Sequence, residues 1–422
     1  MKTTDKNEWD KERENEEKSS YSLKIKQSHI VQKVINRQIY NNKLFQRIFC
    51  NSLFAVERLT PIYKLEIGEL NTIHSLNFNQ KGNLLAACNN EIIIWDWATR
   101  KKLHCFRMIH SYQTTHDVKW LDKEYCLVTC TSEGQILLRD FEHNISKILA
   151  VHDNAAEKLA VPNFESSNTI FSAGIDGKVI LTDIRESEPN VLLTVFKEGS
   201  LSKVALNDIR FNPLNNNEFC VSGNYNYINI YDQRKVLTPL YSLCPDHLTE
   251  DTDTNVTCVV YNDNGTEILA SYRYKDIYLF DRLMSSPVSY THKYQGHLNK
   301  TFDSMEAIFF GNEYVISGSE CGNIFIWDKN TETIVQWIKA DNKAVIHLKG
   351  HPHLPILATE GMDIGVKIWM PLGGEPPDKE ALANCVKSNI KNRERQAYDD
   401  TYYGLDQDKD DIFSDYLFEW FI

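Results

Sequence analysis

Several features that would indicate a particular chemistry or compartment are missing from this chain of 422 residues. It has no run of about 18 apolar residues, so the sequence predicts no membrane-spanning helix. The first 20 residues, MKTTDKNEWDKERENEEKSS, are too charged for a secretory signal peptide. Lys and Arg number 46 against 58 Asp and Glu, a net charge of −12, which is unfavourable for general nucleic-acid binding. We therefore expect an intracellular protein without a membrane partner.

Catalytic and metal-binding motifs are also missing. The sequence contains no P-loop, no GxGxxG after a strand, no HExxH and no GxSxG. Its ten cysteines form no CxxC pair and no zinc-type cluster, so we expect buried free thiols. His351 and His353 form the one tight histidine pair, but neighbours two apart with a proline between them do not suggest a metal site here. We predict no enzyme activity, no cofactor and no metal.

What the sequence does contain is a repeat. A small-residue strand and a tight turn are followed by an alternating strand that ends in a dyad, as in LLAACNNEIIIWD and VISGSECGNIFIWD. Successive copies are spaced by 42 to 49 residues. The seven dyads are Trp95-Asp96, Arg139-Asp140, Thr182-Asp183, Tyr231-Asp232, Phe280-Asp281, Trp327-Asp328 and Trp369-Met370.

A period in the forties with four short strands per unit is typical of WD40 propeller blades. One four-stranded blade cannot bury both of its faces, whereas a closed ring lets each blade pack on two neighbours. The sequence therefore predicts an all-β fold, a seven-bladed WD40 β-propeller over residues 56–371. We expect residues 56–68 to add the outer strand of the last blade beside VKIWM, so that the two ends of the ring meet.

Polar residues of the repeat also match the WD40 pattern, although incompletely. In the third repeat His152, Ser172 and Asp176 stand where the family places a hydrogen-bonded network, while Thr182 replaces its Trp. In the sixth repeat, Cys321 stands where an Asp is expected. We expect these residues to be structural and the propeller to be irregular.

Flanking segments differ in composition from the repeats. Residues 1–20 carry seven acidic and five basic side chains and little apolar content, which predicts disorder. Residues 21–55 form a basic extension whose apolar spacing predicts amphipathic helices. These helices pack on the propeller or enter a partner's groove, with a membrane surface as the weaker alternative. Residues 372–422 combine a linker, a helical stretch, an Asp-rich run and an apolar end.

Longer strings make the resemblance more specific than a generic repeat. They include SGSECGNIFIWDKNTETIVQWI, HPHLPILATEGMDIGVKIWMP, LNFNQKGNLLAACNNEIIIWDW and, ahead of the repeats, NRQIYNNKLFQRIF. From about residue 30 to the C-terminus the chain resembles the DCAF proteins, WD40 substrate receptors of cullin-4 RING ubiquitin ligases. The resemblance implies a non-catalytic receptor. Its partners would be protein substrates and the ligase adaptor, the large subunit of the damaged-DNA-binding complex.

The resemblance also implies where the adaptor docks, because the family's docking motif is a repeat that ends in Trp-Asp-x-Arg. Two neighbouring repeats match this motif except at the Trp. The implied docking residues are Asp183 and Arg185 in the third repeat and Tyr231, Asp232 and Arg234 in the fourth. Both arginines follow a strand end and should project from one face of the ring. The alternative is an Asp–Arg pair that only stabilises its blade.

Three function classes remain to be separated. The leading interpretation is the ligase substrate receptor, acting in nucleus and cytoplasm, and the runner-up is a WD40 scaffold of a chromatin or assembly complex without ligase function. An enzyme is disfavoured by the missing motifs. Nucleic-acid binding through the basic extension is disfavoured, because the same segment is amphipathic and better suited to a protein groove.

Overall fold

The computed structural model describes residues 52–403, except for short stretches within this range; for residues 394–403 it describes the backbone alone. The omitted stretches are 68–72, 108–113, 122–124, 144, 163–167, 187, 198, 200, 252–253, 283–289, 301–304, 364 and 374–377. The predicted disordered head, the basic extension up to residue 51 and the apolar end of the chain therefore lie outside the described residues.

Seven antiparallel sheets of four strands form the blades of the predicted propeller. Ahead of them lie helix α1 (Leu53–Glu57) and strand β1 (Leu59–Leu65). Blade 1 comprises β2 (Ser75–Phe78), β3 (Leu84–Cys88), β4 (Glu91–Asp96) and β5 (Lys101–Arg107). Blade 2 comprises β6 (Thr115–Trp120), β7 (Cys126–Thr131), β8 (Gln135–Asp140) and β9 (Ile145–Val151). Blade 3 comprises β10 (Ala156–Ala160), β11 (Thr169–Gly174), β12 (Lys178–Asp183) and β13 (Asn190–Thr194).

The remaining blades follow the same order. Blades 4 and 5 comprise β14 (Leu206–Asn212), β15 (Asn215–Gly223), β16 (Ile228–Asp232), β17 (Tyr241–Leu243); and β18 (Val256–Tyr261), β19 (Glu267–Tyr272), β20 (Ile277–Asp281), β21 (His292–Tyr294). Blades 6 and 7 comprise β22 (Ala307–Phe310), β23 (Tyr314–Ser317), β24 (Asn323–Asp328), β25 (Ile334–Lys339); and β26 (Val345–Gly350), β27 (Leu357–Gly361), β28 (Val366–Pro371) with β1.

Burial along a blade explains its composition. Middle strands are covered on both faces by neighbouring blades, and every residue of β7 is buried. The outer strand β9 exposes most of its residues. First strands line the central channel, and each contacts the first strand of the next blade around the complete ring. The first and third strands of every blade run in the same direction and therefore end at the same face of the ring. We call this face the exit face.

Strand β1 closes the ring, as the sequence predicted. It pairs antiparallel with β28, with Leu65 opposite Val366 and Leu59 opposite Pro371. Side chains from blades 7 and 1 share one apolar cluster, in which Ile368 and Ala358 pack with Leu85 and Ile93. The first blade is thus held to the last by a strand that precedes it in the chain.

Histidines complete this closure. The His351 ring bonds to the carbonyl of Gly82 (2.8 Å), and the His353 ring to that of Gln80 (2.8 Å), both in the first turn of blade 1. Burial lowers the pKa of His351 to about 4, so the ring is neutral at physiological pH. Gly82 has a φ of 75°, and a Cβ there would collide with His351. These histidines therefore join the last blade to the first.

A buried carboxyl at the same junction makes the closure sensitive to pH. Glu360 Oε1 accepts a bond from the N–H of Ile73 (3.0 Å), and burial raises the pKa of Glu360 to about 8. Free glutamate titrates near a pKa of about 4.3, so unfolding releases a proton between these values. The free energy of unfolding therefore falls as pH rises from about 5 to about 8.

We expect Glu360→Gln to remove this pH dependence, because the amide oxygen keeps the bond to Ile73 without a charge. The melting temperature of the variant should exceed that of the wild type by several degrees at pH 8 and by less at pH 5. Thermal melts at both values check this, and Glu313→Gln on the exposed end of blade 6 is the matched control. An equal difference at both pH values would contradict it.

Polar networks vary between blades as expected. In blade 3 the His152 ring bonds to Asp176 Oδ1 (2.9 Å) and to Ser172 Oγ (2.8 Å). Thr182, at the position of the expected Trp, is buried, and its hydroxyl has no partner among the described residues. In blade 6 both ring nitrogens of His297 likewise lack a partner within the described residues, and burial lowers its pKa to about 3.

A long helix, α2 (Lys379–Tyr403), covers part of the face opposite the exit face. Asp378 caps its start by accepting the N–H of Glu380 (3.0 Å). Asn389 donates to the carbonyl of Gly296 (2.8 Å), and Arg393 donates to that of Lys275 (2.7 Å). Both carbonyls lie in turns of that face, so α2 spans blades 5 and 6. Among the described residues, no helix is long and apolar enough to cross a bilayer.

Candidate protein-docking site

The two motif arginines project from the exit face of neighbouring blades. Asp183 is the last residue of β12 in blade 3, and Asp232 is the last residue of β16 in blade 4. Arg185 and Arg234 each lie two residues further, in the turn that leads to the outer strand. Because both turns follow third strands, they open on the same face of the ring.

Both pairs have the same geometry. In each, the arginine N–H donates to the aspartate Oδ1 at 2.9 Å, the arginine Nε donates to the same oxygen at 3.0 Å, and Nη2 donates to Oδ2. The Nη2–Oδ2 distances are 2.6 Å from Arg185 and 2.7 Å from Arg234. A bidentate fork of this kind fixes the plane of the guanidinium.

The arginines are nevertheless exposed. The side-chain exposure is 70% for Arg185 and 69% for Arg234, against 12% and 20% for their aspartates. Bonds from the arginines lower the pKa of both aspartates to about 2, so each pair stays ionised at neutral pH. Among the described residues, no bond to Nη1 of either guanidinium is formed, so this group can donate to a partner. Each pair lies within one turn and ties no two blades together, and an exposed pair of this kind adds little to stability.

Equivalent aspartates in other blades have a different role. Asp328 of blade 6 accepts the N–H groups of Asn330 (3.1 Å) and Thr331 (2.9 Å), and so only shapes its own turn. In blade 5 the arginine comes one residue after the aspartate. This residue, Arg282, forms an ion pair with the buried Glu218 of blade 4 at 2.5 Å. A shift of one residue thus turns an exposed arginine into an inter-blade contact.

The aromatic position of the motif belongs to the core. Tyr231 is 6% exposed and stacks on Phe219 with the ring centroids 5.7 Å apart. It lies in the apolar cluster between blades 3 and 4, so it supports the strand that carries Asp232. The structure therefore brings the two Asp–Arg pairs to one face, while Tyr231 lies beneath that surface.

Two exposed leucines on the exit face were missed by reasoning from the sequence. Leu237, 92% exposed, lies in the same turn segment as Arg234, and Leu214, 69% exposed, lies in the first turn of blade 4. Large exposed side chains beside a preorganised arginine are typical of protein interfaces, whose anchors combine apolar and guanidinium groups. The signal was present in NPLNN and KVLTPL, where a leucine lies in a proline-containing turn.

Metal chemistry finds no support in the described residues, where no group of three or more His, Cys, Asp or Glu side chains could hold an ion. Six of the cysteines there are buried, and all nine are free thiols. The exit face of blades 3 and 4 presents two oriented guanidinium groups and exposed leucine side chains, which makes it the candidate docking surface.

Comparison with known proteins gives several partial matches. The chain is 48% identical over 79 residues to DDB1- and CUL4-associated factor 6 of Homo sapiens, covering 19% of this chain and 9% of that protein. It is 38% identical over 104 residues to WD and tetratricopeptide repeats protein 1 of Mus musculus, covering 24% and 15%. Protein ALTERED SEED GERMINATION 2 of Arabidopsis thaliana is 34% identical over 111 residues, covering 24% and 15%. No family model matches.

These matches span less than one sixth of the relatives' own lengths. Each match is thus a partial similarity to a WD-repeat or DDB1- and CUL4-associated protein, and the seven-bladed ring agrees with a WD40-type repeat. The name of the first relative associates that relative with DDB1 and CUL4.

Proposed function

We propose that this protein is a substrate receptor of a cullin-4 RING ubiquitin ligase. In this role it performs no chemistry of its own. It binds the ligase adaptor, the large subunit of the damaged-DNA-binding complex, and holds a protein substrate beside the ligase, so that ubiquitin transfer gains from proximity. It acts in both nucleus and cytoplasm and needs no cofactor.

One observation carries this proposal: two neighbouring blades present the same aspartate-locked, exposed arginine on one face. Exposed ion pairs of this kind stabilise a fold only weakly. A role in a protein interface therefore explains the repeated geometry better than a role in blade stability does. The partial match to DDB1- and CUL4-associated factor 6 supports the identity of the partner. From the sequence strings that resemble the DCAF proteins, we also propose a resemblance to DCAF member eight in particular.

Affinity purification followed by mass spectrometry tests the proposal. Tagged full-length protein is purified from cells treated with proteasome and cullin-activation inhibitors, which preserve substrates and the assembled ligase. Recovery of the adaptor and cullin-4 supports a receptor. Recovery of a stable complex without them supports the alternative, a WD40 scaffold of a chromatin or assembly complex.

We expect deletion of residues 1–50 to weaken adaptor capture while the propeller stays folded. The segment 21–50 carries six basic side chains, no acidic one and apolar residues at helical spacing, and receptors of the resembled family often insert an N-terminal helical element into the adaptor. The ring itself needs only β1 onward for closure. Co-precipitation and a thermal melt measure the two effects, and unchanged capture would refute the helical-docking hypothesis.

A further inference from the structure

The central channel opens on the exit face into a cavity of about 410 Å³. This volume lies within the range of about 300–1,000 Å³ that is typical of ligand pockets. Apolar side chains at the ends of the first strands, including Trp120 and Phe211, form much of the wall. Its charged lining residues among those described are Lys119, Arg210, Lys349 and Asp263.

Three buried carboxylates lie on or directly before the first strands that line this channel. Each forms an ion pair with a lysine or arginine: Asp117 with Lys119 at 2.8 Å, Asp208 with Arg210 at 3.1 Å, and Glu306 with Lys158 at 3.3 Å. The His347 ring also lies 3.8 Å from Glu306. Each carboxylate also accepts a backbone N–H of the next blade, from Leu159 (3.0 Å), Val259 (3.1 Å) and Leu348 (3.3 Å) respectively. These carboxylates are therefore occupied within the fold.

Lys349 is a lysine of this channel that pairs with none of these three carboxylates. It is the penultimate residue of β26 and lines the cavity. Within the part of the chain that the structure describes, its ammonium group has neither an ion pair nor a hydrogen bond. Burial, together with Lys119 and Arg210, lowers the pKa of Lys349 to about 8, against the opposing effect of Glu306 and Asp117. The group still carries its charge at pH 7, and an unneutralised charge in such a site is costly.

We propose that this cavity binds an acidic peptide segment of a partner protein, with one carboxylate paired to Lys349. The inference rests on the proposed function and names the chemistry of the segment that the receptor recruits. The aromatic wall favours a peptide over a free anion, because it offers apolar contact beside the charge. The protein's net charge of −12 repels acidic chains in general, so binding of one requires a local site.

Fluorescence anisotropy at physiological ionic strength tests the proposal, with labelled hexaglutamate and hexaglutamine peptides as probes. The full-length wild type should bind hexaglutamate and not hexaglutamine. Lys349→Met should weaken hexaglutamate binding at least about tenfold, as expected for loss of one charge-assisted contact. Lys343→Met, on the opposite face of the same blade, is the matched control and should bind as the wild type does.

Melting curves separate loss of the site from loss of the fold. Lys349→Met removes an unpaired, half-buried charge, so its melting temperature should equal or exceed that of the wild type. Hexaglutamate should raise the melting temperature of the wild type by more than it raises that of Lys349→Met at the same peptide concentration. Equal affinity for both peptides, or full affinity in a folded Lys349→Met variant, would overturn the proposal. Adaptor capture by the same preparations reports on the proposed function separately.

Two further experiments identify which protein supplies the acidic peptide segment. Displacement of hexaglutamate by the purified adaptor would assign the segment to the adaptor, and retention of the probe would assign it to a substrate; either supports the site. The chain's own tail is tested by a full-length variant with tail aspartates changed to asparagine. If this variant bound the probe more tightly, the tail would be the natural occupant and the partner proposal would be wrong. The positions changed are Asp406, Asp408, Asp410, Asp411 and Asp415.

Discussion

Replacing Arg185 and Arg234 together by alanine is expected to lower adaptor capture by roughly thirtyfold or more, with little change in melting temperature. Both guanidinium groups are about 70% exposed and held flat by their aspartates, so a partner meets them already oriented. Removing them would leave any acceptor on the adaptor buried without a partner. The fold loses only exposed pairs within single turns, which contribute little.

Arg234→Ala alone should have the larger effect of the two single changes. Its turn also carries the exposed Leu237, and Tyr231 anchors the strand before it, whereas Thr182 leaves a buried hydroxyl unpaired. Quantitative co-precipitation of the adaptor measures the loss for each variant, and thermal melts follow the fold.

Arg282→Ala is the matched control for both arginines. It removes a side chain of the same type from the corresponding turn of blade 5, but this one pairs with the buried Glu218. We expect a lower melting temperature and unchanged capture by the protein that remains folded. A double variant of Arg185 and Arg234 that melts many degrees lower would show that these pairs stabilise their blades. Normal melting with full capture would exclude them as the docking site.

The propeller could be predicted because its information is local. Each repeat combines a small-residue strand, a tight turn and a terminal dyad within about 15 residues, and the spacing of seven copies gives the number of blades. Closure was also predictable, since β1 is an extra strand ahead of the first blade and β28 lacks an outer neighbour in sequence. The His152–Asp176 contact likewise joins residues only 24 positions apart.

The features that could not be predicted from the sequence depend on contacts between segments that are far apart in the chain. Glu306 pairs with Lys158, which lies 148 residues earlier, and no local pattern indicates that both enter one channel. The unpaired state of Lys349 follows only when the partners of all three carboxylates are known. At the candidate docking site, the motif indicated the arginines and their common face, but not the bidentate bonds by which the aspartates orient them. It also grouped Tyr231 with them, although the stacking on Phe219 places that ring in the core.

Asp117→Ala is expected to give the largest loss of stability in the ring. The side chain is fully buried, and it accepts bonds from Ser75 Oγ (2.6 Å), Lys119 Nζ (3.0 Å) and the N–H of Leu159 (3.0 Å). It thereby ties the first strands of blades 1, 2 and 3 together. Although burial opposes ionisation, Lys119 and Lys158 hold the pKa of Asp117 well below its usual range, so the group is charged at neutral pH.

Loss of this carboxylate leaves one cation, Lys119, and two neutral donors, the Ser75 hydroxyl and the Leu159 N–H, without their acceptor. Breaking a buried pair from one side costs about 3–5 kcal/mol. In a chain of this size the melting temperature shifts by roughly 1–1.5 °C per kcal/mol, so it should fall by about 3–8 °C. Ser75→Ala removes a single neutral donor and should cost about 1 kcal/mol. If Asp117→Ala melted no lower than Ser75→Ala, the carboxylate would not be what holds these three blades together, and the apolar packing between the blades would have to carry that role.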